Sequence, residues 1–471
     1  MAGDAASADR DDLVLPLLAE TNAGSGGDGN DPGRSTQEGT TPFQTAFNIL
    51  NIFVGTGLLG MPYAMMRGGW AALAAQALLL PVFALSGQLI CSTFQLLPAH
   101  TPRTYPELGK AAAGGAGLRA VMLFSFLELF GGSCILIMVA WQQLELLLPA
   151  EGLGPLLSPM HWAAALATLL LLPLLFVDLR RLSRLSVVGL ASSGLVVVMV
   201  AALLGLDPRR TAMAQQPPPT HHLASAGIIQ AVGVFSLSAT AHSTLPALRT
   251  AMRRPAQFPA ALAASFAIML AAYSTLAACG YWYWGDSASP LLTLDLAHNS
   301  WYSTHCRVPL HRVLAFFVLV NTLTKYPGLN LCLQDMILSV LPLQRDAAGD
   351  YHPPLHWAER GLRLALFCAG TALALTAYDV LGSALSLLGG LGSISCSLLL
   401  PTAFYARLAW PRLRAPARTG LVLLLGLGAA LVCLITGTNL CDLSAPCRAW
   451  REAALPPGAR PTGGWANPLV R

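Results

Sequence analysis

Charge is what this chain of 471 residues has least of. Asp, Glu, Lys and Arg make up 11% of it, against 54% hydrophobic residues. A water-soluble domain carries about 25% charged residues. The net charge of +5 therefore says little about nucleic acid, and no basic run with interleaved aromatics occurs. Arginine far outnumbers lysine, so a lysine inside an apolar stretch stands out. The ten cysteines form no CxxC pair and no Cys/His spacing suited to zinc. A nucleotide-binding glycine loop, an HExxH motif and a nucleophile elbow are all missing. No metal, no cofactor and no enzyme activity is expected. The start lacks the basic region and apolar stretch of a cleaved signal peptide.

What is present is a series of long apolar runs, many near the roughly 20 residues a membrane helix needs. They predict an all-α polytopic membrane protein in contact with lipid, with about eleven spans. The ranges are 43–66, 70–97, 118–148, 161–178, 185–206, 225–252, 258–284, 309–340, 360–381, 384–408 and 418–439. Residues 1–40 are rich in Gly, Ala, Ser and Asp without periodicity and read as a disordered tail. Residues 41–440 form the membrane domain, and 441–471 a short tail. Arginines gather in alternate loops, for example Arg180, Arg181 and Arg184, or Arg249, Arg253 and Arg254. The positive-inside rule makes those loops and the N-terminus cytosolic. An odd span count then puts the C-terminal tail on the far side, where Cys441 and Cys447 could pair if that side is a lumen.

Two of the spans carry small residues and then a proline. The first holds Gly55, Thr56, Gly57, Gly60 and Pro62. The sixth holds Thr240, Ala241, His242, Ser243 and Pro246. Both read as helices that unwind near their middles, which is tolerated at membrane depth only inside protein or beside a watery cavity. Breaks at corresponding positions of two halves point to the substrate site of a secondary transporter. Their starts are five spans apart, the pattern of an inverted five-helix repeat with span eleven added. The candidate substrate residues are Gly55, Thr56, Gly57, Phe235, Thr240, Ala241 and His242. At such a break the free N–H end suits a carboxylate and the free C=O end an ammonium. A glycine-rich contact for close helix packing is the alternative.

Ionisable groups at depth are the candidates for ion coupling. Glu128 lies about 15 Å into span three by the helical rise, and a carboxyl there is by default a functional candidate; the alternative is a neutral or paired structural carboxyl. Lys325 lies near the middle of span eight, sharing a face with Asn321, Thr324 and Gly328; the alternative is a lysine snorkelling beside Pro327. Asn48, Asn51 and Gly55 share one face of span one, for interhelical hydrogen bonds or substrate contact. His242 has the type of side chain that titrates in an acidic organelle, or it holds one structural hydrogen bond.

Several stretches together resemble the amino acid/auxin permease family, especially its vacuolar and vesicular branch. They are Asn48-Ile-Leu-Asn51, Gly55-Thr-Gly-Leu-Leu-Gly-Met-Pro-Tyr63, Gly68-Gly69-Trp70, Thr104-Tyr-Pro-Glu-Leu-Gly109 and Leu127-Glu128-Leu129. Later come His242-Ser-Thr-Leu-Pro246, Phe258-Pro259, Gly280-Tyr-Trp-Tyr-Trp-Gly285, Asn321-Thr-Leu-Thr-Lys-Tyr326 and Leu400-Pro401. The resemblance covers roughly residues 41–440. It implies a LeuT-like core with eleven spans and transport of amino acids, often driven by protons. In such a core spans one and eight flank a cation site, where Lys325, with Thr324 and Asn51 nearby, would replace sodium. Where the family has Ser-Gly-His this chain has Thr240-Ala241-His242, and the added methyl of Ala241 narrows or alters the pocket. The expected protein moves small neutral amino acids across a vacuolar, lysosomal or vesicle membrane, coupled to protons. The alternatives are a sodium-coupled plasma-membrane carrier and an amino acid sensor with little transport.

Overall fold

Helix is the only extended regular structure among the described residues; the one β-type contact is a parallel bridge between Thr40 and Met252. The computed structural model describes residues 39–98, 101, 103–148, 159–176, 179–206, 219–239, 241–297, 310–340 and 353–444. The tails expected at either end, with Cys447, lie almost wholly outside these residues.

The chain starts its first helix with a strong local signal. Thr41 accepts from the Gln44 backbone and the Gln44 side chain accepts from the Thr41 N–H, with Pro42 in the first turn. This capping box satisfies two donors that a helix start leaves open. The helix α1 (Pro42–Phe53) ends at Val54, a short 3-10 turn covers Thr56–Gly60, and α2 (Met61–Gly68) follows. The two halves are bent by 61°. Then come α3 (Ala71–Gln95), α4 (Tyr105–Leu147), α5 (Pro159–Leu174) and α6 (Leu179–Leu206). Gly114, at φ +61°, kinks α4 near its start. Only glycine takes that conformation without strain, and the bend separates residues 105–112 from the long apolar run.

The second broken helix is α7 (Ile228–Ser238), a 3-10 turn at His242–Thr244, and α8 (Leu245–Thr250). Both re-entering halves, α2 and α8, carry proline in the first turn, where its missing N–H costs nothing. The remaining elements are α9 (Phe258–Trp284), α10 (Leu292–Ala297), α11 (Leu310–Val340), α12 (Pro353–Ala377), α13 (Leu381–Leu388), α14 (Leu400–Ala409) and α15 (Ala415–Leu443). Between α13 and α14 the helix widens to π turns at Gly389–Ser393 and Ser395–Leu399.

Helix lies in each of the eleven ranges read from the sequence, yet eleven spans do not emerge by length and apolarity. Six helices qualify among the described residues, or seven when the bent pair α1/α2 is one span. Two reasons are physical. Residues 357–412 form one qualifying run of 56 residues, about 84 Å at the helical rise, far beyond a core of about 30 Å. A 3-10 turn at Tyr378–Val380 interrupts it. Helix α5 has only 16 residues, short for a crossing.

The two broken helices are tied together at both ends. Near α1 and α8, the Thr40 N–H donates to Ala251 O at 2.7 Å and the Arg253 N–H to Thr40 O at 3.0 Å. Near α2 and α7, Arg67 is ion-paired to Asp442 of α15 at 3.1 Å and donates to Gln230, which itself donates to Asp442. Outward, α15 leaves Val422, Leu423, Leu427 and Leu434 exposed, an apolar face that suits lipid.

Candidate functional site

Both half-helices α1 and α7 stop with their C=O ends open, and side chains from unbroken helices answer them. The Lys325 ammonium of α11 donates to Val54 O, the first carbonyl beyond α1. A helix C-terminus carries roughly half a negative charge, so a cation is favoured there. Gly55 makes the approach possible: a Cβ at this position would lie 3.2 Å from Lys325 Nζ. On the other side, the Tyr273 hydroxyl of α9 lies 2.9 Å from Ser238 O and 3.5 Å from Phe53 O.

The remaining candidates divide by where the fold puts them. Gly57 lies against Ser238, whose Cα would be 2.9 Å from a Cβ on residue 57; the two breaks therefore touch through backbone. Thr56 contributes to the 3-10 turn, and nothing is described of its side chain. Asn51 is half-buried on α1 and Phe235 fully buried on α7. Thr240 lies outside the described residues. Ala241, in extended backbone at φ −177°, accepts from the Thr244 N–H at 3.0 Å and hydroxyl at 2.8 Å.

His242 is fully buried and turned toward α3. Its Nε2 lies 2.9 Å from Phe83 O and 3.2 Å from the Ser86 hydroxyl. The Phe83 carbonyl can only accept, so the ring N–H sits on Nε2. The rings of Phe53, Phe83 and Phe266 enclose it at 5.8, 5.8 and 6.2 Å.

Glu128 of α4 faces the π segments. It hydrogen-bonds the Cys396 thiol, which Ser125 also meets at 3.4 Å. Gly392 lets the chain approach: a Cβ there would lie 3.4 Å from Glu128 Cα. Thus Glu128 and Lys325 meet different segments, the π turns between α13 and α14 and the end of α1. Thr324 donates to Asn321 O at 2.8 Å, and Asn321 donates to the Ser193 hydroxyl of α6 at 2.7 Å. A narrow cleft lies beside the first break, lined by Gly55, Leu58, Leu59, Ser193, Val196, Val318 and Asn321. Sequence reasoning missed the α6 wall and Tyr273. Serine and tyrosine inside apolar helices carry no local signal that separates a lining group from a core one. Among the described residues, no three His, Cys, Asp or Glu side chains gather as metal ligands.

The comparisons with known proteins agree with this architecture. A family model described as transmembrane amino acid transporter protein matches residues 38–439. The amino acid transporter AVT1C of Arabidopsis thaliana is 29% identical over 375 residues, 77% of this chain and 62% of that protein. AVT1B of the same plant is 28% identical over 410 residues, 84% of this chain and 69% of that protein. The chain thus spans less than two thirds of the first of these relatives. A zebrafish (Danio rerio) protein, provisionally named sodium-coupled neutral amino acid transporter 11, is 23% identical over 83% of this chain and 82% of its own. Among solved structures, the inward-facing conformation of Mhp1 covers 93% of this chain and 97% of its own, with TM-score 0.54 and 13% identity. That likeness shows the fold alone.

Proposed function

Because this chain belongs to the family of transmembrane amino acid transporter proteins, we propose that it is a secondary carrier for small neutral amino acids. It works by alternating access across an organelle membrane, coupled to protons. The observation that carries the reading is the pair of broken helices meeting at Gly57 and Ser238. Two half-helix ends at one place offer carbonyls for an ammonium and N–H groups for a carboxylate, the two charges of a zwitterion. The cleft beside them is lined by small, apolar and neutral polar residues, which favours a small uncharged side chain. Gly55, Gly57 and the Thr240–His242 turn supply the pocket; Lys325 and Glu128 serve the ion.

Lys325 on Val54 O places a donor, positive when protonated, at an end that would otherwise attract a cation. This disfavours sodium there by repulsion. Glu128, in a membrane helix, is the group that takes up and gives back the proton. The surrounding architecture is read as two inverted five-helix halves with α15 as an eleventh span, the N-terminus cytosolic. The sodium-coupled reading keeps one argument, the name of the zebrafish relative.

Purified protein in liposomes, given a mixed amino acid pool, decides between them. Accumulation under an imposed pH gradient supports the proposal. Accumulation under a sodium gradient alone replaces it with the sodium carrier, and binding without flux replaces it with a sensor.

A further inference from the structure

One side chain reaches both breaks from behind. Tyr273 sits in the middle of the unbroken 27-residue α9 and is fully buried. Its hydroxyl is within 2.9 Å of Ser238 O, the last residue of α7, and 3.5 Å of Phe53 O, the last residue of α1. The Ser238 hydroxyl is turned back on Val234 O at 2.9 Å, so its carbonyl is what this helix end presents. A phenol has one proton to give. The shorter distance assigns it to Ser238 O, with Phe53 O as the second acceptor within reach.

The face of α9 that carries Tyr273 is built for this approach. Phe266, Met269 and Tyr273 recur at helical spacing and are all buried; Phe266 packs on Phe53 at 5.6 Å. About two turns before Tyr273 the Ser265 hydroxyl, bonded to Ala261 O of its own helix at 2.9 Å, also reaches Ala46 O of α1 at 3.2 Å. Helix α9 therefore holds α1 along its length and touches α7 only at its end. Lys325 reaches the same break from α11. Each carbonyl oxygen has two lone pairs, so one taken by Tyr273 leaves one for another donor.

We propose that Tyr273 is a positioning residue for the substrate's ammonium. Its proton fixes the direction of the Ser238 carbonyl, and its hydroxyl spaces that carbonyl from the Phe53 carbonyl 3.5 Å away, so that the free lone pairs of both face the gap between the two half-helices. This rests on the proposed reading that an amino acid binds at the breaks. A carbonyl held by a hydroxyl is also less free to turn, which lowers the ordering cost when substrate arrives.

The test is Tyr273→Phe, which removes one oxygen from a buried ring. Uptake into liposomes is measured for the amino acid that the wild type moves best and for its 2-hydroxy acid analogue, which lacks the ammonium. The expected result is an apparent KM for the amino acid raised about tenfold, as for loss of one hydrogen bond. Vmax stays within about twofold, and the preference for amino over hydroxy acid shrinks. Ser265→Ala is the control, since it removes a buried α9 hydroxyl that contacts α1 away from the breaks, and it should leave KM and the preference unchanged. An unchanged KM and preference in Tyr273→Phe overturns the proposal. So does a fall in Vmax alone, or an equal effect in Ser265→Ala. If Tyr273→Phe does not fold, Tyr273→His is scored by the same two readouts, partial retention of the preference supporting the proposal and none overturning it. Absence of wild-type flux for every amino acid would instead refute the transport reading.

Discussion

Lys325 and Val54 meet where α1 ends: the lysine ammonium donates to the first carbonyl past the helix. The contact joins α11 to the break after α1, and it puts a basic group against the negative end of a helix dipole. Lys325→Met keeps much of the stem and removes the charge. The expected outcome is loss of proton-driven accumulation and a new response of uptake to sodium. A sodium titration that is flat in both wild type and variant, with accumulation intact, would make Lys325 a structural donor only.

Much of this was legible before any coordinates. The break at Val54–Gly55 was marked by four small residues and a proline within one apolar run, and Lys325 by being a charge where none is cheap. What escaped was pairing between helices. Ser193 and Val196 line the cleft from α6, and nothing in an apolar helix says which neighbour it will face. Tyr273 reads as ordinary core until its hydroxyl is seen against two helix ends. Glu128 was legible as a buried carboxyl, but its place beside the π turns of span ten was not. The span count was the weakest point, because a 56-residue helical run has no loop composition to divide it.

Glu128 is the second residue proposed for coupling. Its neighbours Cys396 and Gly392 belong to π turns, features that often mark functional sites. A change of protonation here acts directly on the segment joining α13 to α14. Glu128→Gln keeps the shape and removes the titration. Exchange of labelled substrate across the membrane should persist, while accumulation against a gradient should fall to equilibrium. Full proton-driven accumulation in the variant would exclude Glu128 as the carrier of the proton.

Gly57 has no room for a side chain. A Cβ would lie 2.8 Å from Ser238 Cβ and 2.9 Å from its Cα, so backbone must move. Overpacking of this kind costs about 1–3 kcal/mol, which a membrane helix held along its length by α9 can absorb. Gly57→Ala should remain folded by size-exclusion profile yet lose substrate-induced thermal stabilisation. Gly57→Val should abolish uptake. Normal uptake by the valine variant would show that the two breaks need not touch.

The strap at Thr40 ties the start of α1 to the end of α8 by two backbone hydrogen bonds. If both inner halves swing as one body, locking them together costs nothing. Thr40→Cys with Met252→Cys should crosslink under mild oxidation without loss of uptake. Loss of uptake on oxidation, restored by reductant, would mean that α1 moves away from α8 during the cycle.

Asp295 lies outside the spans, on the short α10 that packs against α4, α11 and the Thr56–Gly60 turn. Burial pushes its carboxyl up to about 7, offset in part by the Ser289 N–H and hydroxyl; the N–H reaches its two oxygens at 2.9 and 3.1 Å. Two charged groups on the adjoining helices are engaged elsewhere, Glu145 of α4 with Tyr378 at 3.2 Å and Lys325 of α11 with Val54. A raised carboxyl holds its proton in the folded state where the unfolded chain has released it. Stability of this region is therefore greatest below the ordinary carboxylate range and falls as pH rises toward about 7. The segment 289–297 over the first break should be better protected from hydrogen exchange at acid pH, after correction for intrinsic rates. Asp295→Asn cannot titrate, so its protection should be the same on both sides of neutrality. Protection that rises with pH in the wild type, or a pH dependence that survives in Asp295→Asn, would reverse the sign of this argument and place the responsible group elsewhere.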